Sequence, residues 1–297
     1  MAIPSYPEFK LLEKEDKELF ERYYSAREIE ISDHTFSNYF IWRKLDRTQL
    51  TVIDGYLCPM VIGPDKKPHF MMPLGEGNLR DVVRVCLEHT GSVVRVDEAF
   101  RTALGESEEY RVVEDRDQFD YIYLAKDLAE LKGRKYDGKR NHINALLKAS
   151  NPVYMSMGPE HVEECLSLNE IWCTKKRSET EGFPNLECEA EAVKEALVNK
   201  EFLRLTGGIL AVNGKIIAFT LGQKLAEDTA VVHIEKSDPL IRGAAQLMNR
   251  EFVRNELSGS LYINREQDMG HPGLRKAKTS YHPMELRKKY NICPKSR

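Results

Sequence analysis

Leu203-Arg204-Leu205-Thr206-Gly207-Gly208-Ile209-Leu210-Ala211-Val212-Asn213-Gly214-Lys215-Ile216-Ile217-Ala218-Phe219-Thr220-Leu221-Gly222-Gln223-Lys224 reads as two strands joined by a two-residue turn. Asn213-Gly214 supplies the two positive φ angles that a type I′ hairpin turn requires, so Leu203 to Val212 and Lys215 to Lys224 pair antiparallel. A third strand, Thr229 to Lys236, leads through Ser237-Asp238-Pro239 into a helix over Arg242 to Leu257, and Leu261 to Asn264 is again a strand. Upstream, the periodicity places helices at about Pro159 to Cys173 and Leu186 to Val198. This order of elements is α+β.

The first half repeats that order. A helical pattern carries Leu19, Phe20, Tyr23 and Tyr24, and a second, aromatic one (Phe36, Tyr39, Phe40, Trp42) follows Ser32-Asp33 as helix-starting residues. Strands are expected at Gln49 to Asp54, Tyr56 to Ile62 and Phe70 to Leu74, a helix at Asn78 to His89, a strand at Ser92 to Val96 and a short helix at Glu98 to Leu104. Tyr110 to Val113 with Tyr121 to Leu124 would then complete the first sheet. Between Ala125 and Ser150 the composition turns basic and polar, with Gly133 and Gly138 interrupting the pattern, so the reading sets two domains, 1–130 and 131–297. The repeated order points to two copies of one fold.

Composition bounds the function classes. The 297 residues are 41% hydrophobic and 31% charged, enough for packed cores under a charged surface. The longest apolar runs, such as Ile216 to Leu221, fall far short of the ~20 residues of a membrane helix. The start lacks the basic-then-apolar pattern of a secretory signal. The expectation is therefore a cytoplasmic protein without integral membrane association. Six scattered cysteines form no Cys-x-x-Cys pair or Cys/His cluster, and no metal is expected. Net charge is -3, yet Lys132 to Lys148 carries +5 and His271 to Arg297 carries +7, leaving -15 on the remainder. Cations concentrated on an acidic body fit an anionic ligand: a phosphorylated cofactor, an RNA or a lipid head group.

Two stretches carry candidate chemistry. The helix entry Ile241-Arg242-Gly243-Ala244-Ala245-Gln246 offers small residues and an arginine where free N–H groups bind phosphate oxygens. An Arg-Gly-small-small entry after an antiparallel strand resembles the acyl-CoA-binding turn of the GCN5-related N-acetyltransferase (GNAT) fold. The second stretch, Asn264 to Pro283, packs Glu266, Asp268, Gly270, Gly273, Arg275, Lys276, Lys278 and Tyr281 into a segment suited to a site loop.

That segment, together with the Ser32-Asp33 to Trp42 block and Lys135-Tyr136-Asp137-Gly138-Lys139-Arg140-Asn141, resembles the DUF2156 family, which is similar to the C-terminal domain of phosphatidylglycerol lysyltransferases. The resemblance implies two tandem GNAT-like domains with mixed, mostly antiparallel sheets, and acyl or aminoacyl transfer to an amine or hydroxyl, with the site in the second domain. Coenzyme A or an acyl-CoA is the leading donor; aminoacyl-tRNA is the alternative, and a non-catalytic phosphate-ligand-binding module on the same fold is the competing class. Acyl transfer needs a base, an oxyanion donor and an acid. Glu235 is the first candidate base, His233 on the same strand face its substitute, and Asp268 or Glu266 alternatives that would instead hold a cationic aminoacyl group. Tyr281 is the candidate acid. Lys236, Arg242, Gly243, Ala244, Ala245, Arg275, Lys276 and Lys278 are expected to bind the phosphates of the cofactor, with Lys139 and Arg140 closing over them.

Overall fold

The computed structural model describes residues 2–25, 29–63, 65–179 and 186–295. The first strands are β1 (Lys10–Leu11), β2 (Gln49–Ile53), β3 (Tyr56–Ile62), β4 (Pro68–Met71), β5 (Val93–Val96), β6 (Tyr110–Glu114) and β7 (Asp120–Leu124). They are followed by β8 (Val153–Ser156), β9 (Thr206–Val212), β10 (Lys215–Lys224), β11 (Thr229–Ser237), β12 (Tyr262–Asn264), β13 (Glu285–Arg287) and β14 (Tyr290–Pro294). Together they form two seven-stranded sheets, ordered β1-β2-β3-β4-β5-β14-β6 and β8-β9-β10-β11-β12-β7-β13. In each sheet a run of antiparallel strands is followed by one parallel pair, β4 with β5 and β11 with β12. The two orders are the same fold written twice: a mixed, mostly antiparallel α+β architecture of the tandem GNAT kind.

The sixth strand of each sheet comes from the far side of the repeat. The sequence assigns Tyr121 to Leu124 to the first sheet, and the structure corrects this: β7 lies in the second sheet, with Ile263 opposite Tyr123, while β14 fills the place between β5 and β6. Tyr290 to Pro294 lies in a basic, turn-rich tail that reads as no strand, so by local pattern Tyr121 to Leu124 is the strand left to complete the first sheet. Charge helps to decide it. Asp120, fully buried, accepts hydrogen bonds from the Ser32 N–H at 2.8 Å and hydroxyl at 3.0 Å, and pairs at 2.7 Å with the ammonium of Lys289, the residue before β14. Lys289 also pairs with Asp33, which Arg95 holds at 3.1 Å. Asp33 therefore serves this ion cluster, and the helix Phe36–Trp42 takes its cap from Thr35, whose hydroxyl accepts the Asn38 N–H at 3.0 Å.

By compactness the chain divides into one unit of Met1–Asp120, Gln267–Pro272 and Leu286–Arg297, and a second of Tyr121–Glu266 and Gly273–Glu285. The boundary read at 130/131 thus lies inside the second unit, whose first elements are β7 and the helix Ala125–Glu130. The basic stretch read as a junction contains the helix Asp137–Ala149. Gly138 does not break it, because it stands in the first turn, where glycine interrupts nothing.

Within the second unit the hairpin forms as read, with Asn213 at φ 51 and Gly214 at φ 79 closing β9 onto β10. β10 then shifts register at Leu221/Gly222 against β11. A side chain at Gly222 would sit 2.5 Å from the Val231 carbonyl oxygen, so glycine permits the close approach. β11 and β12 pair in parallel from Thr229↔Tyr262 to Val231↔Asn264 and no further. Beyond that point β11 continues to Ser237 without a β12 neighbour. The sheet opens along that edge, and side chains must satisfy it.

Candidate functional site

Two rungs of side chains cross the opening. Arg265, the first residue after β12, points one guanidinium nitrogen at both Glu235 carboxylate oxygens, at 2.9 and 3.1 Å. Glu266 accepts at 2.7 Å from Nδ1 of His233, two residues before Glu235 on the same face of β11. Consecutive extended residues face opposite ways, so one strand end reaches both partners only through a backbone reversal, and Glu266 sits at φ 57. That strained turn is held in place: the Glu266 N–H donates to the Asn264 side chain at 2.7 Å, and the Lys278 ammonium donates to the Arg265 and Glu266 carbonyls.

Tyr281 lies beside the first rung, 5% exposed, with the Arg265 guanidinium 4.7 Å and the Lys139 ammonium 4.0 Å from its ring centre. Burial pushes the Tyr281 phenol up, and Glu235 adds to that against the opposing pull of Arg265, so it remains protonated throughout the neutral range. Burial alone disfavours the charge on Arg265, but Glu235 outweighs it and keeps the guanidinium ionised. Lys139 is pushed down, by burial first and by Arg265 second, with Glu235 opposing. Its ammonium donates to the Ser280 hydroxyl at 2.6 Å. Asn249, from the helix Ala244–Asn255, donates to Glu235 at 3.4 Å.

The centre is conspicuous for polar atoms that nothing satisfies. Among the described residues of the second unit, buried side-chain atoms without a hydrogen-bond partner occur on Asn169, Thr220, His233, Asn249 and Arg265. Four of these five surround Glu235: Arg265 and Asn249 bond to it, Thr220 is its cross-strand partner on β10, and His233 precedes it by two. Folded proteins pair nearly all such groups, so a cluster of exceptions marks a place built for a polar ligand.

The other sequence candidates take different positions. Asp268 belongs to the first unit, fully buried, where it pairs with Arg116 at 3.3 Å and accepts the Gly270 N–H at 2.9 Å. Lys236 faces away from Glu235, its ammonium 3.3 Å above the Trp172 ring and 2.5 Å from Glu189. Lys278 serves the Arg265-Glu266 turn described above. Gly243 adopts φ 94 against the helix Asp137–Ala149, where a Cβ would run into the His142 carbonyl oxygen, and the Ala244 N–H already donates to Ile241 at 3.2 Å. Ala244 is buried, Ala245 half-buried, Arg275 half-buried, and Arg242 and Lys276 are exposed. Arg140 binds Asp137 and the Leu131 and Gly133 carbonyls. The sequence reading assigned no role to Arg265, Asn249 or Thr220. A signal existed for Arg265, which stands immediately past the strand that ends the parallel pairing.

The two basic segments meet in this unit. The Tyr136 hydroxyl donates to the Tyr281 carbonyl at 3.0 Å, His282 lies 3.2 Å from the Lys135 carbonyl, and Lys139 reaches Ser280. Lys132, Arg134 and Lys276 remain exposed on these segments.

Fold and centre together define a tandem GNAT-like protein with a part-buried Glu-Arg-Tyr-Lys cluster at the strand opening of its second unit. The chain belongs to the family described as phosphatidylglycerol lysyltransferase, C-terminal, whose model matches residues 26–293. A solved structure of a conserved protein of unknown function from Bacteroides thetaiotaomicron VPI-5482 is 38% identical, covers 99% of this chain and 100% of that one, and superposes with a TM-score of 0.86. The structure of L-PGS from Bacillus licheniformis shares the fold at 14% identity, covering 100% of this chain and 95% of that one, with a TM-score of 0.63. A curated uncharacterized protein from Mycoplasmoides gallisepticum (strain R(low / passage 15 / clone 2)) is 25% identical over 179 residues, 58% of this chain and 55% of that protein. The chain thus matches about half the length of that relative. No helix among the described residues is long and apolar enough to cross a membrane.

Proposed function

We propose that the protein is an aminoacyl transferase that moves an aminoacyl group from a charged tRNA to a hydroxyl or amine acceptor at the Glu235–Arg265–Tyr281 centre. The observation that carries this reading is the unsatisfied polar cluster around Glu235 at the open strand edge, in a chain of the lysyltransferase C-terminal family. The free guanidinium nitrogen of Arg265 suits an oxyanion forming at the ester carbonyl, and such a fixed, buried donor is worth roughly 10²–10³ in rate. The protonated Tyr281 phenol suits the leaving oxygen. Glu235, already turned towards cations by Arg265, suits the ammonium of the aminoacyl group.

Charge and packing favour an RNA donor. An RNA requires an extended basic surface, and the adjacency of the segments around Lys135 and Tyr281 supports one. The Gly243 turn, expected to cradle a cofactor pyrophosphate, is occupied on one side by the helix Asp137–Ala149, which weighs against acyl-CoA. The test is transfer of radiolabelled amino acid from charged tRNA to lipid, peptide and small-molecule acceptors, with acyl-CoA in parallel. Labelled product from tRNA, lost in Arg265→Lys and Glu235→Gln and weakening steeply with salt, is expected. Product from acyl-CoA alone refutes the donor assignment, and no product from either favours a binding module.

A further inference from the structure

We propose that His233, oriented by Glu266, is the catalytic base of this centre, taking the proton from the attacking acceptor; the proposal rests on the transfer reading above. Glu235 accepts from the Arg265 guanidinium with both carboxylate oxygens and from Asn249 with one of them, so it stands as the partner of a cation. His233 stands differently. A carboxylate can only accept, so the 2.7 Å contact with Glu266 places an imidazole hydrogen on Nδ1, and in the neutral ring Nε2 is then the nitrogen with the lone pair. That Nε2 is buried and has no partner. The side chain is 1% exposed, so solvent does not satisfy it.

A buried, unpaired imidazole nitrogen beside a carboxylate that fixes its tautomer is the arrangement by which a histidine takes a proton from a nucleophile. Glu266 reaches His233 by holding a positive φ, and the Asn264 side chain and the Lys278 ammonium both bond to that turn. A positive φ on a non-glycine residue at a polar centre is the kind of backbone strain that clusters at working sites. Glu266 is thus a positioning residue, acting through the imidazole. In the reaction, the acceptor oxygen or nitrogen bonds to the ester carbonyl carbon while its proton moves to Nε2. The bond from that carbon to the ribose oxygen then breaks as the Tyr281 phenol gives its proton to the leaving oxygen, and the proton held on Nε2 returns to the phenolate, which restores both side chains.

The full-length protein carrying His233→Gln, His233→Ala or Glu266→Gln is assayed for transfer from charged tRNA and from acyl-CoA, with thermal unfolding as the check on folding. Loss of the base is expected to lower kcat about 10²–10⁴-fold with KM nearly unchanged. Glu266→Gln should lose about tenfold, again in kcat. Added imidazole should restore part of the activity of His233→Ala, an effect that a packing role would not give. If one His233 variant unfolds, the other and Glu266→Gln still decide. A folded His233→Gln keeping more than a tenth of the wild-type rate overturns the base while leaving the transfer reading intact. A wild-type protein inert with both donors overturns the transfer reading and the base with it.

Discussion

Lys289→Met tests the account of the exchanged strand. Lys289 is fully buried, and its ammonium pairs with Asp33 and, at 2.7 Å, with Asp120, with the Gln267 side-chain oxygen at 3.3 Å. Methionine preserves the apolar stem and removes the charge, so the substitution isolates the electrostatic contribution. Breaking a buried pair by removing one partner costs about 3–5 kcal/mol, since the remaining carboxylates stay buried. Arg95 still holds Asp33 at 3.1 Å, which places the expected loss near the lower bound, about 3 kcal/mol. The protein has two tryptophans, Trp42 in the first unit and Trp172 in the second, so in a Trp172→Phe background Trp42 reports the first unit alone. With a urea dependence of roughly 1–3 kcal/mol/M, the midpoint should fall by about 1 M or more at constant slope. The pH dependence has a definite sign. Burial pushes Asp33 up, but Lys289, Arg95 and His34 outweigh it and bring it down to about 2. A depressed carboxylate contributes stability above its unfolded value and loses it as pH falls towards 2, so the gap between wild type and variant should narrow below about pH 4. A loss under about 1 kcal/mol, or a gap unchanged on acidification, would refute the reasoning.

Three further outcomes are expected. Gly243→Ala should cost about 1–3 kcal/mol of stability in the second unit, read by Trp172 fluorescence in urea, because φ 94 and the His142 carbonyl both exclude a Cβ; an unchanged midpoint would contradict the packing role. Burial raises the Asp46 carboxyl to about 6, against a smaller pull from Arg95. That penalty is absent below the unfolded value and grows as pH rises to about 6, so Asp46→Asn should raise the melting temperature at pH 8 and leave it nearly unchanged at pH 4. A fragment of residues 1–130 should show no cooperative unfolding by circular dichroism, because β14 and Lys289 are missing from its sheet, and a peptide of residues 286–295 should restore it; a fragment that folds alone would show the exchanged strand to be dispensable.

What the sequence made legible was local. The Asn213-Gly214 turn, the strand alternation on either side and the helix after Asp238 follow from φ preferences and side-chain periods, and they suffice to recognise the fold twice. The exchange of β7 and β14 did not follow, because the charges flanking Tyr290 to Pro294 make it read as a turn-rich tail, which leaves Tyr121 to Leu124 to complete the first sheet. What separates them is the burial of Asp120 and its pairing with Lys289, a contact across nearly the whole second half of the chain.

The same distinction governs the site. Asn264 to Pro283 reads as one polar, turn-rich loop, but the structure spends it on three tasks. Arg265 and Glu266 close the strand opening of the second unit, Gln267–Pro272 joins the first, and the helix Pro272–Thr279 delivers Lys278 back to the Arg265 and Glu266 carbonyls. Glu266 and Asp268, two residues apart and equivalent on paper, end in different units, one on an imidazole and the other on Arg116. Side-chain type alone could not assign those roles, because the positive φ at Glu266 sets which face of the chain each acid serves. The strained backbone at that residue is therefore the feature that turns a charged loop into an ordered pair of rungs, and it ties the chemistry of His233 to a conformation that composition does not record.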